Sequence, residues 1–354
     1  MKPAADYQTI TKNFTKELID ASSGKKTSLF FIVHQLASTP LVSDKEKFQV
    51  LKIGGSILQN ALVYQDGAKL VVKSMEEEHL PIFSTGKAFL AFIKAHLRKQ
   101  VKVLAINFAY PLKPVFENDR LDGVLVTGSK EHAFSGLVGK QVGSTTEKFI
   151  KKKFNKQIVV TLANDTICLA LSGLLKYPAL SLAGGIVGTG MNFAFFLDEK
   201  RLVNLESGNF NKFTLSETVK TIDAKSLSPK AYLFEKEVTG AYLFQHYNLL
   251  TKGEHPALVS THGLDKVARV EVAGDKQLAR DLMKRSAELI SCQIAGILNF
   301  TKREMKFVME GSLFWHGYNY RKTVAETVKK LSKYPVKFIE IQDCGIIGAA
   351  KLVI

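Results

Sequence analysis

The chain has 354 residues, 46% of them hydrophobic, and a formal net charge of +16 at pH 7. That length can bury two ordinary hydrophobic cores, and no apolar run approaches the roughly 18 residues that a membrane-spanning helix requires. The lysines are spread along the chain. Aromatic residues do not interleave with the densest run, Lys151-Lys152-Lys153, as a platform for stacked bases would require. We therefore expect no membrane or nucleic-acid partner, but a solvated basic surface that attracts small anions.

The N-terminal segment is predicted to begin with a helix within residues 1–26. Its apolar residues recur at helical spacing: Tyr7, Ile10, Phe14, Leu18 and Ile19. The segment lacks the continuous apolar stretch and the small-residue cleavage site of a signal peptide. The chain has three cysteines without zinc-like spacing: Cys168, Cys292 and Cys344. We expect packing thiols in a reducing compartment and a cytoplasmic location.

One strand-and-helix plan runs through the chain twice. The first half predicts a strand hairpin over 48–72, a helix over 86–97, a strand over 101–108, a helix over 145–154 and a strand over 157–162. The second half predicts hairpins over 182–205, a helix over 278–298, a strand over 306–309, a helix over 322–332 and a strand over 336–341. Each half has a glycine-rich turn in its first hairpin, where backbone N–H groups can approach an anion closely. The repeat predicts two α/β lobes facing each other across a cleft.

Three motifs carry candidate chemistry. Asn164-Asp165 follows a predicted strand and opens a helix, so it is either a helix cap or a carboxylate in the crevice where α/β folds bind ligands. The run from Gly184 to Gly190 has more glycine than a tight turn needs, which favours close backbone approach to a ligand. Glu206 stands just past a strand end.

These motifs resemble, in order and spacing, those of the hexokinase and glucokinase family of the actin-like ATPase superfamily. The matching segments are Asn164-Asp165-Thr166, Gly188-Thr189-Gly190-Met191-Asn192 and Asn204-Leu205-Glu206-Ser207-Gly208-Asn209-Phe210. Further segments continue the likeness in register over about residues 48–352: Asn107–Pro111, Ser129-Lys130 with Phe134-Ser135-Gly136, Phe234-Glu235-Lys236 with Thr239–Leu243, Glu310–Phe314 and Gly345–Leu352. The chain is shorter than typical family members.

The resemblance implies an α/β protein with two lobes of duplicated ribonuclease-H-like (actin-like ATPase) fold around a central cleft. We expect an N-terminal helical segment over 1–46, a small lobe over 47–163 and a large lobe over 164–354. The last residues are expected to pack back on the small lobe. The implied activity is that of an ATP-dependent hexose 6-kinase, with glucose as the expected sugar and Mg²⁺ as cofactor.

The resemblance also assigns roles to individual residues. Asp165 becomes the base that accepts the proton of the sugar hydroxyl, and Lys130 the cation that meets the carboxylates or the transferred phosphoryl. The expected sugar-binding residues are Ala109, Ser129, Lys130, Asn164, Asp165, Asn192, Glu206 and Glu235. The expected ATP-binding residues are Lys52, Gly54, Gly55, Ser56, Gly188, Thr189, Gly190, Gly311 and Ser312. No direct protein ligand to the metal is predicted. Taken alone, Glu235 is more typical of a solvated helix carboxylate, and only its register with the family helix favours the sugar-binding role.

Three departures from the family pattern bear on these roles. Ala109 replaces a serine, and Ser207-Gly208-Asn209 replaces Trp-Gly-Ala. Lys52 replaces the aspartate that normally holds magnesium through water. A lysine repels the metal but attracts phosphate oxygens, so we expect Lys52 to contact the β- or γ-phosphate, with Mg²⁺ held mainly by the nucleotide. The alternative is a surface lysine on a drifted loop.

Other functions stay open at this stage. Lys52 favours a catalytically weak sugar-binding or regulatory protein, whereas Asp165 opposes it. The segment Lys52–Ser56 also resembles the opening motif of the amino-acid kinases, although none of the other motifs fits that family.

Overall fold

The computed structural model describes residues 6–129 and 131–354. The strands are β1 (Ile32–Gln35), β2 (Phe48–Ile53), β3 (Ile57–Asp66), β4 (Lys69–His79), β5 (Val103–Phe108), β6 (Leu112–Glu117), β7 (Arg120–Leu125), β8 (Val159–Ala163), β9 (Leu182–Val187), β10 (Met191–Phe196), β11 (Arg201–Asn204), β12 (Met305–Glu310) and β13 (Val336–Ile339). The helices are α1 (Tyr7–Ser22), α2 (Gly86–His96), α3 (Val142–Phe154), α4 (Asp165–Ser172), α5 (Glu217–Ala224), α6 (Leu233–Val238), α7 (Leu243–Thr251), α8 (Thr261–Arg269), α9 (Lys276–Thr301), α10 (Ser312–His316), α11 (Tyr320–Leu331) and α12 (Cys344–Ala350).

Two sheets repeat one strand order. The five-stranded sheet has the order β4-β3-β2-β5-β8, in which β2-β3-β4 is an antiparallel meander and β2-β5-β8 runs parallel. The six-stranded sheet has the order β1-β11-β10-β9-β12-β13. Without β1, the second order repeats the first. In each sheet, three strands that are consecutive in the sequence lie side by side, and two strands from later in the sequence continue the sheet beside the first of those three. The predicted duplication is therefore confirmed.

The predicted elements of the two repeats are present, with ends that differ by a few residues. The central strands are easy to predict because parallel strands buried on both faces read as continuous apolar runs, and every residue of β5 is buried. The predicted plan omits β4, the β6–β7 hairpin and the helices α5, α7 and α8. The β6–β7 hairpin carries a proline and charged residues on short strands, so its apolar pattern is weak.

The described residues fold into two compact units. Unit 1 comprises the described residues up to Phe31, Gly185–Phe193 and Leu205–Glu340. Unit 2 comprises Ile32–Gly184, Ala194–Asn204 and Ile341–Ile354. This division differs from the expected boundaries at 46/47 and 163/164, because unit 2 also contains residues 32–46, 164–184 and 194–204.

The N-terminal helix is part of unit 1. Asp6 caps α1 by accepting a hydrogen bond from the Thr9 N–H at 3.0 Å. Phe14 is fully buried, and a Cβ at Gly296 on α9 would lie 2.6 Å from its ring. Ile10, Phe14 and Leu18 of the predicted stripe are buried, but Ile19 is 52% exposed, so the prediction is wrong for Ile19. Residues 1–5 of the predicted helix lie outside the described residues.

The core of unit 2 is built on aromatic side chains between the sheet and α2. Phe89 on α2 lies 5.6 Å from Phe108 on β5 and 5.4 Å from Phe134, measured between ring centroids. Each of the three cysteines of the chain is buried, as expected for packing thiols. No helix in the described ranges is long and apolar enough to cross a membrane.

Candidate active site

Unit 1 brings together three side chains that the motifs predict to bind a sugar. Asn192 lies on β10, Glu206 follows β11, and Glu235 lies on α6. Asn192 Nδ2 donates to Glu206 Oε1 at 3.4 Å. Asn192 Oδ1 accepts from the backbone N–H groups of Phe193 at 2.8 Å and Ser207 at 3.2 Å. These bonds fix the amide with a carboxylate beside it.

Glu235 fits next to this pair because two of its neighbours are glycines. Its Oε2 accepts a hydrogen bond from the Met191 N–H at 3.1 Å. A Cβ at Gly190 would lie 3.1 Å from that oxygen, and a Cβ at Gly208 would lie 3.1 Å from Glu235 Cβ. Glu206 and Glu235 are both half-buried, so their carboxylates are not the fully solvated groups of a surface helix. Two carboxylates and an amide form a set that can read hydroxyl groups.

Two ion pairs anchor α6 within unit 1. Lys236 Nζ donates to Asp223 Oδ1 at 2.5 Å and to the Ser228 carbonyl at 2.7 Å, and its side chain is 2% exposed. The next residue, Glu237, pairs with Arg285 on α9. Removing one partner of a buried pair costs about 3–5 kcal/mol. The resemblance motif Phe234-Glu235-Lys236 therefore combines a site carboxylate with a structural cation.

The second glycine turn, in unit 1, packs against the predicted adenosine turn. The Gly188 N–H donates to the Gly190 carbonyl at 2.9 Å, and the Gly240 N–H donates to the Gly188 carbonyl at 2.8 Å. A Cβ at Gly188 would lie 3.3 Å from Gly311 Cα. Gly311 has φ 121°, and a Cβ there would lie 2.2 Å from the Val187 carbonyl oxygen. Gly311 therefore requires glycine, and Gly188 allows the two turns to approach closely.

A cavity of about 240 Å³ opens beside these turns in unit 1. It is lined by Gly188, Thr189, Gly240, Ser260, Thr261, His262, Asp265, Met283, Ser312, Leu313, His316 and Gly317. Its volume is below the ~300–1,000 Å³ of pockets that enclose a whole drug-sized ligand. The cavity suits one part of a nucleotide, such as the nucleoside, and its serine and threonine side chains provide hydroxyl groups for hydrogen bonds.

In unit 2, Asn164 and Asp165 lie at the start of α4. Asn164 is the N-cap, and its Oδ1 accepts from the Thr166 N–H at 2.8 Å. Asp165 Oδ1 also accepts from the Thr166 N–H, at 2.7 Å. The cap interpretation therefore holds for Asn164, while Asp165 is a half-buried carboxylate in the first turn, where the helix dipole favours negative charge.

Glycines bring two neighbouring elements of unit 2 close to α4. A Cβ at Gly348 on α12 would lie 1.7 Å from the Cys168 carbonyl oxygen, and a Cβ at Gly184 would lie 2.8 Å from the Ala170 nitrogen. The expectation that the whole run from Gly184 to Gly190 serves ligand approach is therefore wrong for Gly184, which packs on a helix. A Cβ at Gly185, in unit 1, would instead meet the Met309 sulfur at 2.6 Å.

The first glycine turn, in unit 2, is held by two side chains that the sequence does not assign to it. The Tyr110 hydroxyl donates to the Gly54 carbonyl at 2.8 Å. His132 Nδ1 accepts from the Phe83 N–H at 3.1 Å, which leaves its Nε2–H to donate to the Gly55 carbonyl at 3.1 Å. Burial raises the pKa of Tyr110, so its hydroxyl stays a donor. Because both contacts are tertiary, no local sequence signal marks them.

Other predicted residues of unit 2 form backbone hydrogen bonds in or near the first glycine turn. The Ala109 N–H donates to the Ile53 carbonyl at 3.0 Å, one residue before Gly54, and the Ser56 carbonyl accepts from the Leu80 N–H at 2.9 Å. The Ser129 carbonyl accepts from the His132 N–H at 2.9 Å, so the Ser129 loop and the glycine turn share one histidine. Lys130 lies outside the described residues.

Lys52 is half-buried on β2, in register with Asn107 on β5. A Cβ at Gly345, at the start of α12, would lie 2.6 Å from Lys52 Cδ and 2.8 Å from Asn107 Nδ2. Asn107 Nδ2 also donates to the Gly345 carbonyl at 3.3 Å. The lysine stem is therefore packed in a defined place instead of extending from a drifted surface loop.

The turn after Lys52 does not fit a metal ion. The segment Lys52–Ser56 consists of a lysine, an isoleucine, two glycines and a serine, so it has no carboxylate. Across the part of the chain that the structure describes, no group of three or more His, Cys, Asp or Glu side chains is placed to hold a metal ion. A phosphate oxygen suits this turn better than Mg²⁺.

Several known proteins similar to the chain are hexokinases. A hexokinase family model matches residues 248–354. The chain is 24% identical to Hexokinase-2 of Solanum tuberosum, over 99% of this chain and 87% of that protein. It superposes with a TM-score of 0.76 on a hexokinase from Schistosoma mansoni complexed with glucose, at 21% identity, covering 98% of this chain and 94% of that one. A second hexokinase crystal structure gives 0.79 at 20% identity, covering 98% of this chain and 95% of that one.

The two structural similarities confirm the predicted fold class. The chain has the fold of the two hexokinase structures, and in unit 1 Asn192, Glu206 and Glu235 lie together beside a glycine turn. The chain is thus similar to hexokinases in its motifs, in the family match over residues 248–354 and along nearly its whole length.

Proposed function

We propose that the chain is an ATP-dependent hexose 6-kinase and that glucose is a substrate. The observation that carries the proposal is the set Asn192, Glu206 and Glu235, joined by side-chain and backbone hydrogen bonds in unit 1. Carboxylates accept hydrogen bonds, whereas an amide both donates and accepts, so the set matches a ligand with several neighbouring hydroxyls. The glucose in one similar hexokinase structure supports this sugar as the first to test.

In the proposed reaction, Asp165 accepts the proton of the sugar 6-hydroxyl. The freed oxygen forms a bond to the γ-phosphorus of ATP, the bond from that phosphorus to the bridging oxygen breaks, and ADP leaves with the electron pair. Phosphoryl transfer depends mainly on positioning and on positive charge around the moving group. Asp165 suits the first role because α4 holds it by the Asn164 cap and close packing on Gly348.

The nucleotide is proposed to use both glycine turns. The cavity beside Gly188 and Ser312 would receive the adenosine end, with Thr189 and Gly190 toward the phosphates. Gly54, Gly55 and Ser56 would offer backbone N–H groups to phosphate oxygens. Lys52 would add positive charge there, while Ser129 and Lys130 would complete the sugar contacts.

The experiment is a coupled assay that follows ADP release with ATP, Mg²⁺ and a panel of hexoses. We expect turnover with glucose, and the product should be identified as the 6-phosphate by NMR. Asp165→Ala serves as the inactive control on the same preparation. Turnover with no member of the panel, by a folded protein, would contradict the proposal.

Lys52 favours a second candidate, a sugar-binding or regulatory protein that has lost efficient phosphoryl transfer. Calorimetry separates the two functions, because a regulatory protein would bind glucose without turnover. If glucose binds and ADP release stays at the Asp165→Ala level, the second candidate replaces the first.

A further inference from the structure

Tyr232 immediately precedes α6, three residues before Glu235, which the proposed function assigns to the sugar. It is the residue before the helix and has left-handed backbone angles, φ 54° and ψ 38°. Such angles are uncommon for a bulky side chain and are often found at functional sites. Its side chain is 37% exposed, so a ligand can reach the ring. Glu206 shares the left-handed conformation, with φ 49°.

Asn209 ties Tyr232 to the Glu206 turn. Its Nδ2 donates to the Glu206 carbonyl at 3.1 Å, and its Oδ1 accepts from the Tyr232 N–H at 3.4 Å. The family pattern has an alanine at this position, and an alanine side chain can make neither bond. The departure Asn209 is therefore coupled by hydrogen bonds to the place where the tyrosine stands.

The electrostatic surroundings make the Tyr232 hydroxyl a donor. Burial raises the pKa of Tyr232, and the negative charges of Glu206 and Glu235 raise it further. The phenol therefore stays protonated at neutral pH. An aromatic ring with a donor hydroxyl, within electrostatic reach of the carboxylates of Glu206 and Glu235, can cover the C–H surface of a sugar ring and still donate to one of its hydroxyls.

We propose that Tyr232 forms an aromatic wall of the sugar site in unit 1, that Asn209 positions this wall, and that the pair limits which hexoses bind. The inference rests on the proposed function and names the feature of that site which selects the substrate. A rigid ring at this place leaves room for a hexose with hydroxyl substituents and less room for one with a bulky N-acetyl group.

The test compares Tyr232→Phe, Tyr232→Ala and Asn209→Ala with the matched control Tyr334→Phe, a half-buried tyrosine of unit 1 between α11 and β13. Glucose, mannose and N-acetylglucosamine are the probes, with KM and kcat from the coupled assay and Kd from calorimetry. In Tyr232→Phe the loss of one hydrogen bond should raise the glucose KM about 2–10-fold. Tyr232→Ala should raise the glucose KM further, leave kcat within a few-fold, and shift kcat/KM toward N-acetylglucosamine.

Asn209→Ala should show the same split between KM and kcat, and it should add little when combined with Tyr232→Ala, because residues that act through one another are not additive. Unchanged glucose KM and sugar ratios in a folded Tyr232→Ala protein overturn the inference and leave the proposed function standing. If the wild type binds hexoses without turnover and Tyr232→Ala changes the Kd values, the inference stands and the proposed activity fails. A wild type that binds no hexose overturns both.

Discussion

Asn164 and Asp165 are adjacent residues with different roles: Asn164 caps a helix, and Asp165 is the proposed catalytic base. Asn164 caps α4, and Asp165 shares the same backbone N–H as an acceptor while remaining half-buried. Replacing Asp165 by alanine should lower kcat by about 10²–10⁴-fold, the usual contribution of a positioned base. The calorimetric glucose Kd should change little, since Asn192, Glu206 and Glu235 are untouched. Asp165→Asn, which keeps an acceptor for Thr166, controls for the cap; near-normal turnover in either variant would remove Asp165 from the mechanism.

Glu206 and Glu235 should act on sugar recognition instead. Each of Glu206→Gln and Glu235→Gln weakens a hydrogen bond to a charged acceptor, which is worth about 1.5–3 kcal/mol, so the glucose KM should rise roughly ten-fold or more. Glu326→Gln, on the exposed face of α11, is the matched control. Wild-type KM values for every accepted hexose in both site variants would mean that the sugar binds elsewhere.

Lys52 tests how the donor phosphates are neutralised. If its ammonium contacts a phosphate, Lys52→Ala should lose kcat strongly and bind ATP more weakly in calorimetry without Mg²⁺. Lys52→Asp should lose still more in the absence of the metal and regain part of it as Mg²⁺ is titrated, because the carboxylate repels bare phosphate. A Lys52→Asp protein as active as the wild type would identify the lysine as a defect of a weakened kinase. Unchanged binding and kinetics in both variants would show that this turn does not contact the donor.

At the scale of elements, the first glycine turn depends on side chains from other parts of unit 2. Tyr110→Phe keeps the ring and removes only the hydrogen bond to the Gly54 carbonyl. A net loss of about 0.5–1.5 kcal/mol is expected, which corresponds to an increase of roughly 2–12-fold in the KM for ATP if the turn binds phosphate. The glucose Kd serves as the internal reference. An ATP KM equal to that of wild type would show that the turn needs no such support.

The elements differ in how far the sequence predicts them, for physical reasons. The strand β5 is apolar except for Asn107 and β9 has no polar side chain, so their composition alone indicates buried strands. The order of the motifs predicts Asn192, Glu206 and Glu235, and unit 1 does bring them together. His132 and Tyr232 cannot be predicted in this way because their roles arise from hydrogen bonds and charges that join distant segments. The density of glycine is misleading for a different reason. Glycine is needed where a helix packs closely as well as where a ligand approaches closely, so the sequence alone does not distinguish these two causes.

For the whole molecule, a buried histidine gives a pH dependence of stability. His34 on β1 is 2% exposed, and burial lowers its pKa to about 4. The unfolded chain, with an ordinary histidine pKa near 6.5, binds more protons between about pH 6.5 and 4, so the free energy of unfolding falls as the pH drops through that window. The loss attributable to His34 is at most about 3 kcal/mol. Urea unfolding should show a smaller drop in His34→Gln, and identical pH profiles for the two proteins would contradict the assignment.

The strongly basic composition acts at this scale too. The net charge of +16 is spread over both repeats, so it raises the local concentration of anionic substrates without defining a site. Because salt screens exposed charges, this attraction weakens as the ionic strength rises. The attraction would therefore act on the proposed donor ATP and not on a neutral sugar.

The close packing of α12 in unit 2 has a consequence for biosynthesis. Gly345 lies against Lys52, and Gly348 lies against the backbone of α4. The packing around Lys52 and α4 therefore depends on residues that are translated much later than either. A ribosome-bound chain that has not yet released residues 344–350 has both Lys52 and Asp165 but lacks their packing partner. Contacts so distant in sequence form slowly, and the intermediate exposes apolar surface that chaperones recognise. Lys52 and α4 should therefore gain these packing contacts only after residues 344–350 have emerged from the ribosome.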